Sequence, residues 1–239
     1  MHIMKTLFYI IGLILLFLNL GFAQNRKNGD VLETKPVKDF TGVYSSLAAD
    51  IYLTQADSFS FEIEARNKVI RLLETEVVNG VLRIKLDRDS DIWDNFDKAT
   101  IRISAPSFEK LDFSGAGKIR ATNKLKGHNL DIVVSGANSL EIDDAEYDSL
   151  SLELSGVGNI EMMGKVQNAR ILLSGTGNID LMDLVIQNAQ CDISGLGNLS
   201  CNVENLLDAE VSGMGRIKYK GEPKSIKKSI SGLGKVRRD

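Results

Sequence analysis

The chain has 239 residues, a formal net charge of −3 and only 6% aromatic residues. There is no global positive field to draw it to nucleic acid, and two histidines leave little for a His-based triad or a multi-histidine metal centre. Twenty-one glycines against three prolines suit many tight turns in one ordered body rather than a chain of linkers.

The N-terminus reads MHIMKTLFYIIGLILLFLNLGFAQN. Lys5 gives a positive start, Leu7 to Leu20 is almost wholly apolar, and Gly21 and Ala23 put small residues before Gln24. This pattern predicts a secretory signal peptide over 1–23. An uncleaved anchor would need about 20 apolar residues to cross a bilayer. No Cys follows the small residues, so a lipoprotein anchor is not expected, and after cleavage no transmembrane segment is expected. Residues 24–38 are polar and read as a flexible leader. From 39 to 239 the chain is long enough for one domain with a sizeable core.

From Phe40 to Pro106 the pattern is strand-like but irregular. Asp50–Thr54, Ser60–Glu64 and Thr100–Ser104 alternate apolar and polar residues. Asn79-Gly80, inside the run Glu76–Leu86, predicts a β-hairpin. Val69 to Leu73 fits one helical turn. This half reads as degenerate coils continuing the core of the second half, with a separate small β-domain as the alternative.

After the hairpin, Asp87, Asp89, Asp91, Asp94 and Asp97 cluster around Trp93 and Phe96. Alternating Asp can bind Ca²⁺, but Ile92 stands where the EF-hand pattern needs Gly and Lys98 where it needs Glu. A solvated acidic loop is the reading preferred, with no metal. Asp89, Asp91, Trp93, Asp94 and Phe96 are taken as the tentative binding set, because aromatic faces stack on sugar rings. The alternative is that the two rings plug the loop onto the core.

From residue 108 to 239 the chain repeats. Ser-Gly-x-Gly turns begin at Ser114, Ser155, Ser174, Ser194, Ser212 and Ser231, and a variant begins at Ser135. The serines are spaced by 21, 20, 19, 20, 18 and 19 residues. One residue before each Ser stand Phe113, Val134, Leu154, Leu173, Ile193, Val211 and Ile230. Five after it stand Ile119, Leu140, Ile160, Ile179, Leu199, Ile217 and Val236. Apolar residues alternate on both sides, so each repeat reads as strand, tight turn, strand and a less regular return. The pairs Gly115 and Gly117, Gly156 and Gly158, Gly175 and Gly177, and Gly195 and Gly197 are assigned to structural turns, through positive φ and close stacking. One coil cannot bury its apolar face alone. Coils stacked at about 4.8 Å form a parallel β-solenoid roughly 30 Å tall. The last coil turns its inward columns to Lys228 and Arg238, a charged end that resists edge pairing. Stacking of such ends or edges into a homodimer is the expected route to any self-association.

Phe40 to Glu64, Asn79-Gly80-Val-Leu-Arg-Ile84, the Ala105-Pro106 step and the repeats together resemble the putative auto-transporter adhesin head GIN domain family. The resemblance covers about Lys38 to Glu222. It implies a right-handed, parallel β-helix-like fold, export, and adhesion to a surface glycan or surface protein. It carries over no catalytic residues and no cofactor. A C-terminal membrane barrel would need many strands of about 10 residues. None follows the repeats, so self-delivery to the cell surface is not expected.

Other residues read plainly. The repeated GxG precedes strands rather than a helix N-terminus, so it is a turn and not a phosphate loop. His128 sits by Gly127 in a return loop and reads as solvated. Asp143-Asp144 is a carboxylate pair with no marked partner. Cys191 and Cys201 fall on opposite sides of one turn. Packed sheets lie about 10 Å apart and bonded Cβ atoms about 3.8 Å, so two buried free cysteines are expected. From Arg216 onward nine Lys or Arg face two acids, either a solvated cap or a contact for anionic polymer. Adhesin-like attachment is thus the leading expectation, a periplasmic interaction or scaffold protein the alternative, and a polysaccharide-active enzyme the least favoured.

Overall fold

A computed structural model describes residues 30–87 and 98–239. The expected architecture is what it shows: a β-solenoid with parallel coils along most of its length. The residues Asp89, Asp91, Trp93, Asp94 and Phe96, and the signal peptide, lie outside the described residues.

Two ladders organise the N-terminal half. The first joins β5 (Leu73–Val78), β6 (Val81–Leu86), β2 (Gly42–Ser45) and β8 (Lys110–Phe113) in that order. The second joins β1 (Asp30–Thr34), β4 (Ser60–Arg66), β7 (Ala99–Ala105), β3 (Ala49–Gln55) and β9 (Ala116–Ala121). Both continue into the repeats, so this half extends the same stack rather than forming a separate unit. Its outermost pairings, β1–β4, β4–β7 and β5–β6, are antiparallel. Asn79 and Gly80 both have positive φ, 52° and 73°, the requirement of a type I′ hairpin turn. The short helix α1 (Asn67–Leu72) buries Val69 and Ile70.

Part of the expected leader is ordered: Asp30–Thr34 forms β1 against β4. Val31 and Leu32 gave no clean alternation, and the pairing comes from the free edge of β4 rather than from a local signal.

The repeats are more continuous than their sequence implied. β10 (Leu125–Val134), β11 (Ala137–Leu154), β12 (Val157–Leu173), β13 (Thr176–Ile193) and β14 (Leu196–Val211) pair in parallel, coil on coil. From β11 onward, each such strand ends at a Ser-Gly pair. The return segments belong to the ladder, interrupted by register shifts such as Glu161/Gly164 and Leu181/Val185. The reason is that the returns also bury apolar columns, through Ala145, Tyr147 and Leu150 in one coil and Leu184, Ile186 and Ala189 in another. β15 (Arg216–Lys220), β16 (Ser225–Ile230) and β17 (Lys235–Arg238) close the stack.

One hydrophobic core runs the length of the molecule. Its largest fully buried side chains, Phe40, Phe61, Phe108 and Phe113, gather at the N-terminal end. Aliphatic columns fill the remainder, stacked at identical register: Ile160 on Ile179 on Leu199 on Ile217.

Candidate functional site

The glycines of the turns act mainly through close approach. At Gly136, Gly156, Gly175 and Gly195 an added Cβ would overlap the carbonyl oxygen of the equivalent turn glycine one coil earlier. Positive φ within the motif occurs at Gly117 and Gly177, with values of 145° and 157°. Stacking, more than handedness of the turn, therefore explains the repeated Gly. Asn138 occupies a motif glycine position, and its amide donates to the Gly115 carbonyl at 3.0 Å.

The motif also builds a polar column that sequence reasoning missed. Asn159, Asn178 and Asn198 follow the second Gly of three successive turns. Asn178 Nδ2 donates to Asn159 Oδ1 at 3.0 Å, and Asn198 Nδ2 to Asn178 Oδ1 at 2.9 Å. A second ladder runs through Asn168, Asn188 and Asn205, at 3.0 and 2.7 Å. The shared spacing of these residues was the available signal.

The second Asn ladder borders a groove of ≈470 Å³ on the return face. Three columns make it. Leu130, Leu150, Ala169 and Ala189 form its buried floor. Asn129, Ser149, Asn168 and Asn188 line one side, and Asp131, Ser151, Arg170 and Gln190 the other. The floor is Leu in two coils and Ala in the next two, with the ladder unbroken between them. Arg170 Nη1 donates to Gln190 Oε1 at 3.0 Å, which fixes both heads across neighbouring coils. The lining presents amides, hydroxyls, one guanidinium and one carboxylate over an apolar floor. Such a surface offers hydrogen-bonding groups in columns along the solenoid axis, over an apolar floor.

A second hollow of ≈430 Å³ lies beside Gln55, His128, Glu146, Tyr147 and Lys165. Its carboxylates and its tyrosine are already committed. Glu146 binds Lys124 and Lys165, each at 2.7 Å, and hydrogen bonds from the two ammonium groups hold its carboxyl at about 2. A group so acidic does not act as a proton donor near neutral pH. Burial, with the Glu109 charge nearby, pushes the Tyr147 phenol well up, and its hydroxyl donates to the Phe108 carbonyl at 3.1 Å. His128 Nδ1 lies 2.7 Å from Asp148 on the open surface, so this residue is solvated as expected. Asp143 and Asp144 are drawn to Arg120 and Lys124, at 3.3 and 3.5 Å, rather than facing each other across a cleft.

Cys191 and Cys201 are free and buried. They are nearer than two facing sheets implied. The Cys191 thiol hydrogen-bonds Cys201, and this contact with burial raises its pKa well above that of an ordinary thiol. Among the described residues no group of three or more His, Cys, Asp or Glu could hold a metal ion. No helix among them is long and apolar enough to cross a membrane.

Residues 39–223 match the family described as "Putative auto-transporter adhesin, head GIN domain". The chain belongs to this family. Solved structures agree on the fold. A putative adhesin from Bacteroides fragilis is 27% identical, with a TM-score of 0.85 over 90% of this chain and 99% of that one. One from Parabacteroides merdae is 19% identical, with a TM-score of 0.69 over 89% and 97%. A putative lipid binding protein from Parabacteroides distasonis is 24% identical, with a TM-score of 0.69 over 89% and 98%. No curated protein matches the chain. Membership of the GIN family fits the stacked coils and adds no catalytic residue to the two hollows.

Proposed function

We propose that this protein is an exported, non-catalytic binding protein that attaches to an extended surface glycan. The observation that carries the reading is the groove of ≈470 Å³, whose amides and hydroxyls recur coil after coil in register. A ligand that itself repeats meets an amide or a hydroxyl at each step along the Asn129, Ser149, Asn168 and Asn188 side. Membership of a family named for adhesion and the apolar N-terminal stretch support the exported setting. The ion-paired carboxylates of the second hollow argue for binding over turnover.

The test is a titration of soluble polysaccharides against the exported chain by calorimetry, with Arg170→Ala/Gln190→Ala as the groove variant. Saturable binding is expected, and the double variant weakens it at least about tenfold, through two hydrogen-bonding heads each worth roughly 1 kcal/mol. Equal binding by the variant would move the site elsewhere. Turnover of the polymer would replace the binding reading with an enzymatic one. Protease treatment of intact cells reports the side of the outer membrane, and loss of the protein only after permeabilisation would favour a periplasmic scaffold.

A further inference from the structure

The edge strands at the two ends of the solenoid carry opposite charge. At one end the edge strands are β1 and β5, with sequences DVLET and LETEVV. The strands themselves hold Asp30, Glu33, Glu74 and Glu76 and no base; Lys35, which pairs with Glu33 at 3.6 Å, and Lys68 and Arg71 of α1 lie beside them. At the other end the edge strands are β16 and β17, with sequences SIKKSI and KVRR. They hold Lys227, Lys228, Lys235, Arg237 and Arg238 and no acid. The whole molecule shares this polarity. Nine of the 29 Lys and Arg lie in residues 216–239 with two acids, which leaves 19 bases against 30 acids in residues 24–215.

Both ends also expose apolar side chains beside an unpaired backbone edge. Val31 and Leu32 on β1 are 41% and 40% exposed. At the far end Ile226 and Ile230 are 42% and 48% exposed, and Leu233 is 82% exposed. In the inner coils the columns of Ile226 and Ile230 are covered by the next coil, as Leu207 and Val211 are. At the last coil no strand among the described residues covers them.

Strand direction matches in the β1/β17 ladder and is opposed in the other, where β5 runs antiparallel to β6 and so to β16. β1 is antiparallel to β4, and β4 is antiparallel to β7. β1 therefore runs with β7, and so with β17 in the same ladder. A β17 edge laid on a β1 edge continues the parallel ladder from one molecule into the next.

We propose that this protein assembles head to tail with copies of itself, the basic β16/β17 end of one copy docking on the acidic β1/β5 end of the next. Lys and Arg on an edge strand block pairing with an identical edge. Here they exclude tail-to-tail contact, because five bases would meet five. They do not block an edge bearing carboxylates. Some of these charges already have partners within the chain, such as Lys85 with Glu74 and Glu76, and Lys227 with Asp208. Exposed pairs of this kind contribute little, so exchanging them across a contact costs little. A head-to-tail contact is heterologous and leaves a free end on every product, so growth is open rather than closed.

Sedimentation of the exported chain over a concentration series tests this. In about 10 mM salt, where charges act over roughly 30 Å, the average mass is expected to rise past that of a dimer and keep rising. In about 1 M salt, where the range falls to about 3 Å, it is expected to return to the monomer. Two charge-reversed variants sharpen the test. One carries Lys227→Glu, Lys235→Glu and Arg237→Glu. The other carries Glu33→Lys, Glu74→Lys and Glu76→Lys. Each alone is expected to stay monomeric, and a mixture of the two is expected to grow, since each then offers what the other lacks. Growth on mixing also shows that both variants are folded. A monomer at every concentration in low salt overturns the proposal. So does a mass that stops at the dimer, which indicates a two-fold contact, and so does a mixture that remains monomeric.

Discussion

Single residues do different work in apparently equivalent positions. Gly175 and Gly80 make the comparison. At Gly175 an added Cβ would overlap the Gly156 carbonyl oxygen and crowd the Ser155 carbonyl, all backbone of the preceding coil with no flexible side chain to move aside. Gly175→Ala is expected to cost about 1–3 kcal/mol or more, the range of overpacking in a rigid interior. At Gly80 nothing lies within 4 Å, and the whole penalty is the φ of +73°. Gly80→Ala is expected to cost about 1 kcal/mol. Urea unfolding of the two variants ranks them, and a larger loss at Gly80 would reverse the assignment of roles. Glu146 gives a prediction in pH. Its folded pKa, about 2, lies below the ordinary 4.5, so the folded state prefers the ionised form. The resulting stability is fully present above about 4.5 and is lost as pH falls toward 2. Glu146→Gln is expected to flatten that part of the acid-unfolding curve and leave the curve's shape above pH 5 unchanged. A variant that keeps the wild-type slope between pH 4.5 and 2 would assign the acid sensitivity to other carboxylates.

At the scale of elements, the repeat is the reason so much was legible. Seven turns at near-constant spacing with alternating flanks are enough to predict strands, stacking direction and core columns, because each column reports on its neighbours. The Asn-Gly hairpin was legible for a local reason, two residues that tolerate positive φ. The candidate site was not. Leu130, Leu150, Ala169 and Ala189 look like ordinary core positions one at a time, and the groove is assembled only when the polar residues on either side of them are stacked across four coils. The return segments hid it further, since bulges such as Glu161/Gly164 break the period that sequence reading depends on. β1 was invisible because its pairing is set by a distant free edge. Repetition also makes the elements modular. Removing residues 156–174, one full coil from Gly156 to Ser174, is expected to leave a shorter solenoid that still folds, since each coil touches chiefly its two neighbours. The denaturant slope should fall roughly in proportion to the surface lost. Failure of the shortened chain to fold would mean that the coils are not interchangeable.

For the whole molecule, order along the chain becomes order along an axis from β8 onward. β1 lies at one end of the stack and β17 at the other. The C-terminal repeats are tied by parallel ladders, while the first strands are locked by antiparallel pairing and by the aromatic cluster of Phe40, Phe61, Phe108 and Phe113. Stability is therefore expected to be graded, lowest in the last coils and highest near the phenylalanines. Amide hydrogen exchange measures that gradient residue by residue, and uniform protection from β8 to β17 would contradict it. The axial arrangement has a mechanical consequence. A force that draws the two termini apart does not meet all the ladders at once. It bears first on the terminal coil, whose few bonds give way before the next is loaded. A protein that anchors a cell under flow would then yield in small steps, lengthening by one coil at a time while the rest of the stack keeps its hold.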